Sequence, residues 1–447
     1  MELLSNLKAF RQEAYSYLGR AKDATFELMD AVMLTRKADS LADLSLCPVF
    51  RRKWSSIYES LQDTRPQRNK LMKLYIKQIK RQEQRILLAG DHTTWSRPNA
   101  RTLKERTYEH YTQGGFGGKP ITVGYGYSTV ALIPEAQGSW ALPLRHERIT
   151  SWESPIDKAV WQLKQVCPQL PTRAISCWDI EYGCAPFIIK TADIKVDKII
   201  RLRSNLCLWT APPPYCGRGR RRIHGQKFKL LEESTWSGAA QTIELEDAKL
   251  GRLKIRLWHN LHLRKSPLHP MSVLLVERLN EDGTKRITKP MWLAFIGDSM
   301  PPCTEILQFY LRRFGVDHWY RFAKQRLHWT LPKLSTPEQS DRWSDLMPLI
   351  TWQLWLARDI VKDNPLPWQK TAPKLTPGRV AQSIGAILAV IALACRRKAA
   401  YHTPATSPKP RGKSPGWKPE QTRKRRIHYP VVKKRTKNSN KKKPKPT

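Results

Sequence analysis

Apolar residues recur at helical spacing near the start of the chain: Leu3, Leu4, Leu7 and Phe10, then Leu28, Met29, Ala31 and Met33. Cys47-Pro48 and Arg65-Pro66 interrupt this pattern. Residues 1–80 are therefore expected to form a small helical domain. The pattern then changes. Arg85-Ile-Leu-Leu-Ala-Gly-Asp91 is a short apolar run ending in an acid, the mark of a buried strand. Thr122–Ile133 and Trp140–His146 also read as strands, divided by the turn-like Glu135–Gly138. Pro155–Val166 has a helical pattern, and Arg173-Ala-Ile-Ser-Cys-Trp-Asp179 is a second strand ending in an acid. Ala185–Lys190 opens a further helix. Strands first, then alternating helix and strand, suit a mixed α/β sheet over residues 81–204.

From about residue 205 to 290 the chain becomes β-rich. Phe228–Leu231, Gln241–Leu245, Leu253–His259 and Ser272–Arg278 are strand-like, with Asp282-Gly283 as a hairpin turn. Residues 291–335 return to the main sheet through Trp292–Ile296 and enter a helix. Residues 336–395 are helical, with Trp343, Met347, Ile350, Leu354 and Ile360 loosely in register. Beyond them, residues 396–447 hold 19 Lys and Arg against one acid, Glu420, with many prolines. No core forms from that composition, so a disordered basic tail is expected.

Charge adds a partner. The 447 residues include 79 Lys and Arg against 38 Asp and Glu, a formal charge of +41. Such an excess suits a polyanion, and nucleic acid binds it through displaced counterions. The N-terminal helices then either contact nucleic acid or serve packing and dimerisation. In the insertion, the run Gly217-Arg-Gly-Arg-Arg-Arg222 makes Arg220, Arg221 and Arg222 candidate phosphate contacts. Gly114–Pro120 is Gly-rich but lacks the order of a nucleotide-binding P-loop, so it is read as a loop. The 8 Cys form no CxxC pair, which argues against a zinc ribbon or finger. The N-terminus lacks the basic-then-apolar pattern of a signal peptide, and the apolar run Ile384–Cys395 is too short to span a bilayer. A cytoplasmic protein with free thiols and no membrane partner is expected.

The candidate chemistry centres on Tyr310–Lys324, expected to be one helix. Phe314, Asp317, Arg321 and Lys324 share a face there, with Tyr310 and Arg313 at its edge. Asp91 and Asp179 end strands and Asp317 sits on this helix. Three carboxylates from separate elements make an oxygen-rich site for hard divalent cations. Such a pair of ions activates a water or a 3′-hydroxyl and stabilises the leaving oxygen of a phosphodiester.

These residues resemble the insertion-sequence DDE transposases, in particular the group with a Tyr-x2-Arg-x3-Glu-x6-Lys signature. Tyr310, Arg313, Asp317 and Lys324 keep those spacings, with Asp317 in place of the glutamate. Asp91 in Leu88-Ala-Gly-Asp-His-Thr93 and Asp179 in Cys177-Trp-Asp-Ile-Glu181 match the first and second acids. The resemblance covers about residues 80–330 and includes the β-rich insertion. It implies an RNase H-like catalytic core, two Mg²⁺ ions (Mn²⁺ as substitute) on Asp91, Asp179 and Asp317, and hydrolysis followed by strand transfer at the ends of a bacterial insertion sequence. It also implies double-stranded DNA as partner, a homodimer on DNA and nucleoid association. On that pattern Tyr310, Arg313 and Lys324 would contact phosphates, with Arg321 a further DNA-binding candidate on the same helix. Trp292 and Trp258 are candidates for stacking on a flipped base, against core packing as the favoured role of each. Two other outcomes stay open: an impaired, transposase-derived DNA-binding protein, because Asp317 is one methylene shorter, and a structure-specific nuclease. Glu305 is a second candidate for the third acid.

Removing residues 396–447 should weaken non-specific DNA binding and flatten its salt dependence, measured as log affinity against log salt concentration. An unchanged slope would contradict the role given to this segment.

Overall fold

A computed structural model describes residues 2–79, 85–110, 120–217, 219–248, 250–282, 284, 289–392 and 427–434. The expected N-terminal helices are present as α1 (Glu2–Ser16), α2 (Lys22–Leu34), α3 (Ser55–Asp63) and α4 (Arg68–Lys77). The sheet begins with β1 (Ile86–Ser96), β2 (Thr107–His110), β3 (Ile121–Leu132) and β4 (Leu142–Ile149). Then come α5 (Pro155–Val166), β5 (Ala174–Trp178), α6 (Ala185–Lys190) and β6 (Val196–Leu202). Helix α5 starts with a reciprocal cap: the Ser154 hydroxyl accepts from the Asp157 amide, and the Asp157 carboxylate accepts from the Ser154 amide.

The fold is a mixed α/β, RNase H-like one, as expected. Strand β1 runs parallel to β5, and β5 parallel to β6. Strand β3 is antiparallel to β1, and β2 and β4 share successive lengths of its far edge. The β-rich insertion does not form a separate layer. Strands β7 (Cys207–Trp209), β8 (Lys227–Lys229), β9 (Gln241–Asp247), β10 (Gly251–Leu263), β11 (Met271–Arg278) and β12 (Met291–Ile296) extend the same sheet. Its order is β2-β3-β1-β5-β6-β12-β11-β10-β7-β8, with β4 on β3 and β9 on β10. Gly283 and the glycine-rich residues 114–119 lie outside the described residues, so the hairpin turn and the loop expected there are not placed.

Helices α7 (Cys303–Arg312) and α8 (Gly315–Gln325) correct one expectation. Tyr310–Lys324 is not one helix; the chain breaks at Arg313-Phe314, where bonds from Arg313 to Tyr310 and Phe314 to Leu311 tighten the turn. Gly315 begins the second helix 3.3 Å, measured from the position of a built Cβ, from the Trp140 carbonyl oxygen. Helices α9 (Pro337–Ala357) and α10 (Pro377–Ala392) follow.

Helix α9 ties the two ends of the chain together. Trp352 is fully buried, stacks on Tyr75 of α4 with centroids 5.6 Å apart, and donates its indole N–H to the Pro143 carbonyl at 2.8 Å. Arg68 Nε lies 2.7 Å from Asp345, and Arg326 donates to carbonyls of Val32, Met33 and Thr35. The N-terminal helices thus share one hydrophobic core with the sheet and the C-terminal helices. No helix among the described residues is long and apolar enough to cross a membrane.

The tail also departs from expectation. Residues 427–434 are extended and lie against β2, with Val432 bridged to Thr107. The rest of 396–447, expected to be disordered, lies outside the described residues.

On β4, next to β3, His146 is buried against Tyr127, Trp319 and Trp329, with Nδ1 2.8 Å from Thr129 Oγ1. Burial, aided by Arg68 and Lys324, pushes its pKa from 6.5 down to about 3. The unfolded chain therefore binds a proton that the folded chain refuses. Stability is full above pH 6.5 and is lost as the pH falls. Between pH 6.5 and 5 the loss should be roughly 2 kcal/mol. Denaturant unfolding of the native protein and of His146→Phe should show the variant with the shallower pH slope over that window; equal slopes would contradict this reading.

Candidate active site

The site is assembled where β1, the end of β5 and α8 meet. On β1, Asp91 is not at the strand end, as expected, but in mid-strand, because β1 continues through His92–Ser96 along β3. It is the first residue past the stretch of β1 that pairs with β5, which ends at Gly90 opposite Trp178. Asp179 directly follows β5, as expected, and precedes a short 3-10 turn, Ile180–Tyr182. Asp317 lies in the first turn of α8, where the helix dipole favours a carboxylate.

All three acids converge on one guanidinium. Arg313 Nη1 is 3.2 Å from Asp91 Oδ2, and Arg313 Nη2 is 3.8 Å from Asp179 Oδ1 and 3.7 Å from Asp317 Oδ2. Side-chain exposure rises from 4% at Arg313 through 14% at Asp91 to 33% at Asp179 and 43% at Asp317, so the cluster opens to solvent on the Asp179 and Asp317 side. Burial pushes the Asp91 carboxyl up to about 6; Arg313 and His92 oppose that rise and Asp317 adds to it. Asp317 is raised too, first by burial and then by Asp179, against Arg313, His318 and Arg321. Burial works against the charge of Arg313, but Asp91, Tyr310, Asp179 and Asp317 outweigh it and its pKa is raised.

Several neighbours brace the acids. Tyr320 donates its hydroxyl to the Asp91 carbonyl at 2.9 Å and lies 2.8 Å from Thr129 Oγ1. Lys324 donates to Thr93 Oγ1 at 2.7 Å, two residues along β1 and on the same strand face as Asp91. The His92 amide donates to Asp91 Oδ1 at 2.7 Å, and the His92 ring lies 3.1 Å from Glu181 and 3.3 Å from the Tyr182 hydroxyl. Gly90 leaves room for the Trp178 ring: a Cβ there would stand 2.2 Å from it.

The other candidates are placed unevenly. Tyr310 is fully buried and Arg313 is spent on the acids, so neither presents itself to a phosphate as expected. Lys324 is half-buried on Thr93, and burial lowers its pKa. Arg321 is exposed. Arg220, Arg221 and Arg222 are exposed between β7 and β8, with Arg221 5.6 Å over the Tyr215 ring, and are not among the contacts of the acid cluster. Trp258 and Trp292 cannot receive a base as they stand. Both are buried, packed with Phe228 and Trp236 in the extension of the sheet. Glu305 is exposed at the start of α7 and is not among the carboxylates near Arg313. Tyr320, Thr93, Thr129 and Gly90 were missed. For two of them the signal was present: Gly90 adjoins an acid in an apolar run, and Tyr320 lies three residues beyond Asp317.

The family profile described as DDE superfamily endonuclease matches residues 13–262, more than half of the chain. The chain belongs to the DDE superfamily endonucleases. The match includes Asp91 and Asp179 and ends before Asp317. No curated protein matches the chain. DDE superfamily endonucleases act on DNA and generally use divalent metal ions. The donors here suit such an ion in kind: three hard carboxylates carry three negative charges against the single positive charge of Arg313. Among the described residues no group of three or more His, Cys, Asp or Glu side chains stands close enough together to hold a metal ion as placed. The guanidinium holds the centre of the cluster.

Gly90→Ala should force Trp178 and the neighbouring acids apart, costing about 1–3 kcal/mol of stability. DNA cutting should fall further than that loss explains at a temperature where the variant stays folded. Normal cutting by a folded Gly90→Ala protein would refute the role of this packing in placing the acids.

Proposed function

We propose that this DDE superfamily endonuclease is a transposase that cuts DNA at the ends of an insertion sequence and joins the freed 3′ end to target DNA. The observation that carries the reading is the convergence of Asp91, Asp179 and Asp317, from three separate elements, on Arg313. The spacing of Tyr310, Arg313, Asp317 and Lys324 supports it, as does the excess of basic residues. Asp91, Asp179 and Asp317 would hold Mg²⁺, which supplies activation of the attacking hydroxyl and charge stabilisation at the leaving oxygen.

The chain's own residues prepare that site. Arg313 offsets the mutual repulsion of three nearby carboxylates and keeps them gathered. Tyr320 fixes the backbone at Asp91, and Lys324 fixes β1 two residues on, so the first acid is held from both the carbonyl and the strand. Arg321, exposed on α8 beside Asp317, is the group best placed to meet a phosphate approaching from solvent. A homodimer on DNA follows from the need to bring two ends together.

The impaired-enzyme reading rests on the shorter side chain of Asp317. Its carboxylate nevertheless comes within 3.7 Å of the same guanidinium that Asp91 and Asp179 meet, which favours a working third acid.

A cleavage and strand-transfer assay, using DNA with the element's flanking ends and Mg²⁺ or Mn²⁺, tests this. Native protein should cut and join. Asp91→Ala and Asp317→Ala should lose more than the ~10–100-fold typical of an outer-shell partner, and Asp317→Glu should retain activity. Cutting that survives Asp91→Ala would remove the assignment. Cutting by Asp317→Glu alone would mark the natural protein as impaired. Hydrolysis without joined product would mark it as a nuclease.

A further inference from the structure

The sheet edge at β2 is occupied by the chain's own residues 427–434. Val432 pairs in parallel with Thr107. Its amide donates to the Arg106 carbonyl at 2.8 Å, and the Tyr429 amide donates to the Arg101 carbonyl at 2.9 Å. Arg106 donates back to the Tyr429 carbonyl at 3.4 Å, and the Lys104 ammonium stands 5.2 Å from the Tyr429 ring centre. Lys434 Nζ reaches Glu109 Oε1 at 2.7 Å, where the Glu109 side chain is 4% exposed. That carboxylate lies over Gly126, where a Cβ would come within 2.8 Å of it. A carboxylate so buried needs a cation, and among the described residues its ion-pair partner is Lys434. The edge is therefore a built recess for a strand that carries a lysine.

Docking also settles the charges around it. Glu105 is paired with Arg148 at 2.9 Å and Glu109 with Lys434. Arg101, Lys104 and Lys433 remain exposed, and among the described residues none has a carboxylate partner. Along β3, Gly124 faces Thr107 and Thr129 faces Asp91. Five residues of strand and three inter-strand steps then separate Val432 from Asp91, roughly 20 Å.

We propose that docking of residues 427–434 on β2 completes a surface for the phosphate backbone of duplex DNA, carried by Arg101, Lys104 and Lys433. It rests on the reading of the acid cluster as a site that works on DNA, and it deepens that reading by naming where the flanking duplex is held. The docked strand runs from Arg101, where the Tyr429 amide bonds, to Thr107, where Val432 pairs, so Lys433 joins Arg101 and Lys104 along this edge only while the segment is seated.

The test uses the full chain and duplex DNA without a divalent cation, so that binding is read apart from cutting. Replacing Arg101, Lys104 and Lys433 by Ala together should lower the salt slope by about 2–3. Val432→Pro removes the amide that bonds to Arg106 and changes no charge. It should abolish hydrogen-exchange protection of the Tyr429 amide and lower the salt slope by about 1. Lys434→Glu should release the segment by a second route, with the same loss of protection. A triple variant with the native slope overturns the proposal, as does either undocked variant with native DNA binding. Rapid exchange of the Tyr429 amide in the native protein overturns it too. Failure of Asp91→Ala to abolish cutting, in the separate cleavage assay, would instead count against the active-site reading.

Discussion

Everything at the site depends on a single cation held among three acids. Carboxylates brought this close repel one another, and burial raises the cost of each charge. Arg313 relieves both, because a planar guanidinium presents several N–H groups and stays charged under any working condition. The burial order follows from this. Asp91 sits deepest and has the shortest contact, while Asp179 and Asp317 reach the other nitrogen from the solvent side. Losing Arg313 would leave a buried negative cluster uncompensated; adding a divalent cation would give the same acids a second source of positive charge.

That cluster is positioned by packing from below. Asp91 stands on β1 and Asp179 just past the end of the neighbouring parallel strand β5, and the missing side chain of Gly90 lets the Trp178 ring lie across the join. Trp178 in turn packs on Tyr182 and Phe187, so the residues on both sides of Asp179 are anchored. The third acid comes from outside the sheet, on a helix that starts afresh after Arg313-Phe314. The i, i+4 contact between Arg313 and Asp317 spans that break, and the break sets the angle at which Asp317 approaches.

Much of this was legible in the sequence. The strands β3 and β5 and the helix α5 announced themselves because their apolar runs are clean and their ends carry turn or capping residues. The three acids were found through their order and the spacing around Asp317. What escaped notice had a physical reason. Strand β1 continues past Asp91 through His92, Thr93 and Thr94, polar residues whose partners are on β3, Tyr182 and α8 rather than in an apolar core. Strand β6 holds Asp197 and Lys198, which look like surface residues but are buried. The break at Arg313 hid inside an unbroken amphipathic pattern. Residue type alone left Trp258 and Trp292 open to base stacking, and their burial gives them the core role that was favoured for each. The seated segment at residues 427–434 was hidden by the composition of the stretch around it.

Helix α9 has a consequence for how the chain comes into being. Arg11 on α1 bonds to Gln353 on α9, 342 positions later, and Tyr75 of α4 stacks on Trp352 of that late element. At a synthesis rate of about 5–20 residues per second, the first helices emerge tens of seconds before their partner exists. Until then their hydrophobic faces stay open to other proteins. Nascent chains stopped before α9 should be sticky and short-lived, and the enzyme cannot reach its working form until nearly all of it has left the ribosome.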